Sequence, residues 1–143
     1  MLEIDRSAFD QMVGLALDEY PLEACGLMVG PPTGGGAAGN RVIEFHACRN
    51  AASSARVYTI DPRDHLRIER DADDRDLVVN GVVHSHTHSE PYPSPTDVAQ
   101  APDPGWHYVI VSLKRDAPEL RSFRIVDGQI EEEPIELATG SGA

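Results

Sequence analysis

The sequence has few cysteines and no long apolar run, and each shortage excludes a class of protein. Its two cysteines, Cys25 and Cys48, cannot form a disulfide scaffold, which fits a reducing compartment. No apolar run approaches the roughly 20 residues that a membrane-spanning helix needs. The first residues lack the basic start and apolar stretch of a signal peptide. We therefore expect a cytoplasmic protein without a membrane segment.

Basic residues are also scarce: 12 Lys and Arg stand against 24 Asp and Glu, a formal net charge of -12 with neutral histidine. Proteins bind nucleic acids largely by placing Lys and Arg against phosphates, so this balance disfavours nucleic acid as a partner. The same charge disfavours anionic membranes and acidic partners, while it supports solubility. Nothing in the sequence indicates an oligomeric state.

The length of 143 residues predicts one domain, large enough to bury a core. Strands interleaved with helices predict the α/β class with a mixed sheet. Helices are expected at residues 5–20, 62–73 and 95–101. Strands are expected at residues 25–29, 41–47, 56–60, 77–83, 106–113 and 120–126, with an edge strand at 131–134. Residues 31–40 are rich in glycine and proline and predict a mobile hairpin loop.

The stretch with the most chemistry is a short apolar run that ends in histidines. Residues 77–83 are mostly apolar, and His84, His86 and His88 follow directly. β-Branched residues in such a run predict a buried strand. Because side chains alternate between the two faces of a strand, His84 and His86 project the same way, and His88 follows if the chain stays extended.

Two imidazoles on one side of a strand end can share a metal ion, and Asp97 can add a carboxylate from a helix that begins at Ser94. Two histidines, an aspartate and one open position suit catalytic zinc, whose fourth ligand is a water. The segment is also an ordinary helix start, with a serine N-cap and Pro95 at the first helical position. These residues alone leave both interpretations open.

Residues 21–30 narrow this choice, because they place Glu23 directly before a second predicted strand. The chain now resembles the JAMM (MPN+) metalloprotease family. That family has a glutamate before a strand, then His-[Ser/Thr]-His, seven residues, a serine, two residues and an aspartate. The positions that carry the resemblance are Glu23, His84, Ser85, His86, Ser94 and Asp97. It extends through Asn50, residues 58–62 and residues 106–112, and covers residues 1–126.

The resemblance implies a role for each of these positions. Zinc is expected on His84, His86 and Asp97, where it lowers the pKa of a bound water. Glu23 is expected to act as the general base that takes the water's proton and returns it to the leaving amine. The Ser94 hydroxyl is expected to stabilise the oxyanion.

The resemblance also implies the family's fold, a curved mixed β-sheet flanked by helices in three layers, similar to the layering of zinc deaminases. We expect this domain to span residues 1–136 and to be followed by a flexible tail, residues 137–143. Nothing in the sequence repeats at a regular interval.

Members of the family hydrolyse peptide or isopeptide bonds at the C-terminal Gly-Gly of ubiquitin or ubiquitin-like proteins. The chain is most similar to a small bacterial branch that releases cysteine from a ubiquitin-like sulfur-carrier protein during cysteine biosynthesis. This implies a sulfur-carrier–cysteine adduct as substrate. The alternative substrates are conjugates of another ubiquitin-like modifier.

Other interpretations of the same residues differ in their support. A non-catalytic MPN scaffold typically lacks the ligands that this chain keeps, and a zinc deaminase needs motifs that are absent here. Cys25 is interpreted as a small buried residue rather than as a nucleophile. His88 stays a candidate for substrate contact or for a bond behind the ligands, and His107 is interpreted as structural.

Overall fold

The computed structural model describes residues 1–33 and 39–138, which form three helices and nine strands. The helices are α1 (Arg6–Glu19), α2 (Pro62–Asp74) and α3 (Pro95–Ala99). The strands are β1 (Leu2–Asp5), β2 (Cys25–Gly30), β3 (Arg41–Val42), β4 (Glu44–Cys48), β5 (Val78–His86), β6 (His107–Ser112), β7 (Glu119–Val126), β8 (Gln129–Glu133) and β9 (Ile135–Ala138).

Six strands form the main sheet in the order β4-β2-β5-β6-β7-β8. β5 and β6 run parallel, and the other neighbouring pairs run antiparallel, so the sheet is mixed. All residues of β2 and β6 are buried, as expected for central strands covered on both faces. The predicted α/β class with a mixed sheet is confirmed, and β8 is the edge strand that the sequence predicts.

The two faces of the main sheet have separate apolar cores, because successive side chains of each strand alternate between them. On one face, Met28, Val83 and Val109 pack beneath α1 and β1. On the other, Leu27, Val82 and Ile110 belong to the cluster that α2 covers. His84 and His86 follow Val82 at intervals of two residues, so β5 directs both rings to the α2 side.

A second, three-stranded parallel sheet has the order β3-β1-β9 and was not predicted from the sequence. Its strands are two to four residues long, too short for a periodic apolar pattern to stand out. β9 pairs with β1 as far as Ala138, two residues past the boundary at residue 136 expected for the domain. The rest of the expected tail, residues 139–143, lies outside the described residues.

The predicted strand at residues 56–60 is wrong. The segment has a single bridge, between Asn50 and Ile60, and is otherwise a loop. The Asn50 side chain replaces the missing ladder, because its Oδ1 accepts hydrogen bonds from the backbone N–H groups of Ala52 and Thr59 at 3.0 Å each. Residues 34–38, the centre of the predicted hairpin loop, lie outside the described residues.

His107 lies at the start of β6 and is 1% exposed. Its Nδ1 lies 2.7 Å from a Glu133 carboxylate oxygen, and its Nε2 lies 3.1 Å from the Gly39 carbonyl oxygen. The ring thus ties the first residue of β6 to the end of β8. This placement agrees with the structural interpretation of His107.

In the described ranges, no helix combines the length and the apolar character that a membrane crossing requires.

Gly81 and Gly14 allow a matched test of the packing at β5. A Cβ on Gly81 would meet the backbone oxygen of His107, so we expect Gly81→Ala to force β5 and β6 apart and to lower the free energy of unfolding by about 2–4 kcal/mol. A Cβ on Gly14, in α1, would meet nothing within 4 Å, so Gly14→Ala should raise it by about 0.5–1 kcal/mol. Urea unfolding of both variants measures the difference. Equal stability of the two would contradict this packing.

Candidate metal centre and active-site cleft

The register between β2 and β5 brings Glu23 opposite His86. Cys25 pairs with His84 in this antiparallel ladder. The pairing continues one residue further, because Ala24 N donates to Ser85 Oγ at 2.7 Å and Ser85 N donates to Ala24 O at 3.0 Å. Residues that lie opposite one another in an antiparallel pair project from the same face. Glu23 and His86 therefore share the face that also holds His84.

His84, His86 and Asp97 converge at the end of β5. The Nε2 atoms of the two histidines lie 3.1 Å apart, and each lies 3.2 Å from Asp97 Oδ2. The histidines are 2% and 5% exposed. These three are the group of possible metal ligands that was found among the described residues. The structure thus brings together the three residues that the sequence predicts as ligands.

Asp97 reaches this point because a capping box fixes the first turn of α3. Ser94 Oγ accepts a hydrogen bond from Asp97 N at 3.1 Å, and Asp97 Oδ2 accepts one from Ser94 N at 2.9 Å. Pro95, at the first helical position, has no N–H to satisfy. The helix-start and metal-ligand interpretations are therefore compatible, since one carboxylate oxygen caps α3 and faces both histidines.

The hydrogen bond on the far side of His86 fixes its tautomer. His86 Nδ1 lies 2.8 Å from the Glu90 carbonyl oxygen, which can only accept, so Nδ1 carries a proton. In the neutral ring, Nε2 then presents its lone pair to Asp97 and His84, the form in which imidazole binds a metal. Burial acts to lower the pKa of His86, but Asp97 and the Glu90 carbonyl outweigh it and raise the pKa.

The pKa values of the other two members of the cluster are both lowered, for different reasons. Burial lowers the pKa of His84, against the effect of Asp97, and so favours the neutral ring. Burial acts to raise the pKa of Asp97, but the contacts with His84 and His86 leave it below its usual range. A neutral imidazole beside an ionised carboxylate is the state in which both bind a cation.

The Tyr58 ring stacks on the His84 ring, a contact that was not predicted from the sequence. The two rings are stacked, with centroids 4.3 Å apart and planes inclined by 18°. Tyr58 also lines an apolar cavity of about 260 Å³ with Leu27, Val82 and Trp106. The family resemblance extends through residues 58–62, but it does not indicate which residue the tyrosine contacts.

Glu23 is 4% exposed, and its Oε1 has no hydrogen-bond partner among the described residues. Burial raises the pKa of Glu23 to about 7, with a lowering effect of His86 and a raising effect of Asp97. The Glu23 backbone is fixed, since its N–H donates to Ser54 O at 2.8 Å and its carbonyl accepts from Asn50 Nδ2 at 3.0 Å. A positioned carboxyl group with a pKa near neutrality can take and return a proton.

The neighbouring Cys25 does not share this chemistry. It is 1% exposed, and burial raises the pKa of its thiol to about 12. A thiol that stays protonated at neutral pH is a poor nucleophile. The interpretation of Cys25 as a small buried residue is confirmed.

Glu23, His86 and Ser94 open onto one surface cleft of about 530 Å³. The other residues that line it come from two segments, the loop before Tyr58 and the turn after β5. They are Ala55, Arg56, Thr87, His88 and Ser89. The candidate base, the candidate hydroxyl and one candidate ligand, His86, thus face the same cleft.

His88 lies on the wall of this cleft in a chain of hydrogen bonds. Thr87 Oγ1 donates to Ala55 O at 3.2 Å, so it accepts from His88 Nδ1 at 3.0 Å. The second ring nitrogen, Nε2, then accepts from the Tyr20 hydroxyl at 3.2 Å. These bonds occupy both ring nitrogens of His88. His88 is not part of the group formed by His84, His86 and Asp97.

The geometry of this group fits zinc. Ligand atoms around tetrahedral zinc, at bond lengths of roughly 2.0–2.1 Å, lie about 3.3 Å from one another. The three distances of 3.1 Å, 3.2 Å and 3.2 Å are close to that spacing. Nitrogen and oxygen donors, buried and directed at one point, form a ligand set typical of zinc.

Comparison with known proteins gives concordant results. The family model described as prokaryotic homologs of the JAB domain matches residues 5–126. The CysO-cysteine peptidase of Mycobacterium tuberculosis is 40% identical over 138 residues, which cover 96% of this chain and 91% of the relative. A desampylase of Haloferax volcanii is 33% identical over 98 residues, 68% of this chain and 67% of the relative.

Among solved structures, a JAB1/MPN domain protein from Archaeoglobus fulgidus superposes with a TM-score of 0.63. The match covers 96% of this chain and 97% of that chain at 17% sequence identity. Similarity at this level of identity concerns the fold alone. It confirms the JAB/MPN arrangement of sheet and helices that the sequence predicts.

Removal of one ligand should distinguish the residues that bind the metal from other residues of the cleft. We expect His86→Ala or Asp97→Ala to weaken zinc binding by more than about 100-fold, because each removes one of three ligand atoms. His88→Ala is the matched control, and its zinc affinity should stay within about threefold of the unchanged protein. Competition with a chromogenic chelator measures all three. Equal losses in the ligand variants and in His88→Ala would refute the assignment.

Proposed function

The chain belongs to the family of prokaryotic homologues of the JAB domain, and from that premise we propose that it is a zinc-dependent peptidase. Its proposed substrate is a ubiquitin-like sulfur-carrier protein, from whose C-terminal Gly-Gly it releases cysteine. The observation that carries the proposal is the meeting of His84, His86 and Asp97 at one point, where His86 also lines a cleft together with Glu23. The 40% identity with a CysO-cysteine peptidase supports the substrate.

His84, His86 and Asp97 would hold the metal. Burial favours the neutral ring of His84. The hydrogen bond to the Glu90 carbonyl orients the ring of His86. When bound at such a site, zinc lowers the pKa of a water ligand and polarises the carbonyl that is attacked. The Tyr58 ring keeps the His84 imidazole in one plane. The Glu90 carbonyl does the same for His86, so neither ring has to be ordered when the ion binds.

Glu23 is the proposed general base. Its carboxylate is buried and lies on the same face of the sheet as His86. One of its oxygens has no hydrogen-bond partner in the described part of the chain. With a pKa of about 7, it can accept the proton of the attacking water and then deliver it to the departing amine. Water thus supplies hydroxide to the glycyl carbonyl carbon and a proton to the nitrogen, and the C–N bond breaks.

Ser94 is the proposed donor to the oxyanion. Its hydroxyl oxygen accepts from Asp97 N, so the hydroxyl proton is available to donate, and no acceptor for that proton is found among the described residues. Ser94 lines the same cleft as Glu23. A donor already oriented by α3 stabilises the developing charge without reorganisation.

A second candidate function uses the same site on another substrate. The Haloferax volcanii relative is named a desampylase, which favours removal of a ubiquitin-like modifier from conjugates. Both functions need hydrolysis after a C-terminal glycine and differ in what leaves. A scaffold without activity would not need a buried base and three converging ligands. The net charge of -12 supports neither nucleic acid nor anionic membrane as a partner.

Mass spectrometry of a sulfur-carrier–cysteine adduct tests the proposal. We expect the zinc-loaded protein to remove one cysteine from the adduct, and Glu23→Gln to do so about 10²–10⁴-fold more slowly while it still binds zinc. Glu131→Gln changes an exposed glutamate of β8 and should keep full activity.

The three other outcomes have different meanings. Zinc binding without cleavage of the adduct would overturn the sulfur-carrier substrate and favour the modifier conjugates. Failure both to bind zinc and to cleave the adduct would leave the scaffold interpretation. Full activity of Glu23→Gln would remove Glu23 from the mechanism.

Ser94→Ala and Ser94→Thr test the oxyanion role. Loss of the hydroxyl should lower kcat by about 10²–10³-fold, as for other oxyanion donors, with less effect on KM. Threonine keeps a hydroxyl and an N-cap oxygen, so Ser94→Thr should recover most of the activity. Zinc affinity and the melting temperature report the capping contribution separately. A kcat for Ser94→Ala within threefold of the unchanged protein would contradict the role.

A further inference from the structure

The loop that precedes Tyr58 places a guanidinium group on the wall of the active-site cleft. Arg56 lines this cleft together with Glu23 and Ser94. Its side chain is exposed. Neither the proposed mechanism nor the ligand group uses it.

The backbone around Arg56 is fixed to both sides of the cleft. Ser54 O accepts from Glu23 N at 2.8 Å, and Ala55 O accepts from Thr87 Oγ1 at 3.2 Å. Arg56 N itself donates to Ser54 Oγ at 3.0 Å. The loop therefore bridges the segment that carries the base and the segment that follows the histidines. The Arg56 side chain therefore extends from a backbone whose position relative to the cleft is fixed.

Arg56 is one of four Lys and Arg residues without an ion pair to a carboxylate, and it is the one of the four that lines the cleft. Eight Lys and Arg residues form ion pairs with carboxylates, including Arg75 with Glu44 and Arg115 with Glu90. All Asp and Glu residues lie in the described ranges, and Arg56 has an ion pair with none of them. An arginine that lacks a carboxylate partner in a chain with a net charge of -12 can accept one from a ligand.

The two candidate substrates differ in whether a carboxylate lies near the nitrogen that leaves. Hydrolysis of a carrier–amino acid adduct releases a single residue, whose α-carboxylate lies two bonds from the nitrogen that leaves. An isopeptide conjugate places a lysine side chain there, with only methylene groups near that nitrogen. The planar guanidinium fork of arginine matches a carboxylate in a bidentate manner. Arg56 can therefore distinguish a terminal residue from a conjugated protein.

We propose that Arg56 binds the α-carboxylate of the C-terminal residue that is released, and so selects single-residue adducts over isopeptide conjugates. This inference rests on the proposed peptidase function and adds the group that recognises the leaving amino acid. Arg56 contacts the carboxylate both before and during hydrolysis, so its effect falls mainly on KM and on the dissociation constant.

A pair of substrates that differ in one charge tests the proposal. One is a ubiquitin-fold carrier that ends in Gly-Gly-Cys with a free carboxylate, and the other is the same carrier that ends in the neutral cysteinamide. Under reducing conditions, kcat/KM should be about 30-fold higher for the carboxylate, mainly through KM. Arg56→Gln should remove this preference, because it lowers kcat/KM about 30-fold with the carboxylate and much less with the amide. Arg70→Gln, an exposed arginine of α2 outside the cleft, is the matched control for charge and should retain the preference.

Calorimetry gives a second measurement that does not depend on turnover. In the Glu23→Gln background, the carboxylate adduct should bind about 30-fold more tightly than the amide, and the additional Arg56→Gln change should make the two equal. If the protein that keeps Arg56 cleaves or binds both adducts equally well, the role of Arg56 is overturned, while the proposed peptidase function is not. Equal losses with both adducts in Arg56→Gln would do the same. Failure to bind or cleave either adduct would overturn the proposed function together with this inference.

Discussion

The antiparallel pairing of β2 with β5 is the constraint on which the site depends. Because the strands run in opposite directions, the second residue before β2, Glu23, lies across from the last residue of β5, His86. A shift of one residue would turn Glu23 to the opposite face of the sheet. The reciprocal bonds between Ala24 and Ser85 prevent this shift. Register, rather than the histidines alone, creates the cleft.

This pairing concentrates charge in a place where charge is costly. Glu23 is buried, Asp97 keeps an ionised carboxylate in contact with two imidazoles, and burial lowers the pKa of His84. Buried carboxylates require compensation by hydrogen bonds or by a cation. The capping box and the Glu90 carbonyl provide part of it. Divalent metal at the same point would provide the rest, which explains why the fold tolerates the arrangement.

Much of the site could be predicted because it depends on local rules. Strand alternation placed His84 and His86 on one face, and a serine followed by proline placed Asp97 in the first turn of α3. Contacts set by distant residues could not be predicted. The Asn50 side chain satisfies backbone groups that would otherwise form the expected strand at residues 56–60, and β9 gains its order by pairing with β1. Neither interaction leaves a periodic signal in the sequence.

We propose that two imidazoles and one carboxylate bind zinc beside Glu23. X-ray absorption at the zinc edge of the loaded protein tests it most directly. We predict a four-coordinate ion with two histidine nitrogens and two oxygens at about 2.0–2.1 Å, one of them from Asp97 and one from water. A sulfur neighbour at about 2.3 Å, which would place the ion at Cys25 or Cys48, would contradict this ligand set. So would a shell of oxygens without imidazole.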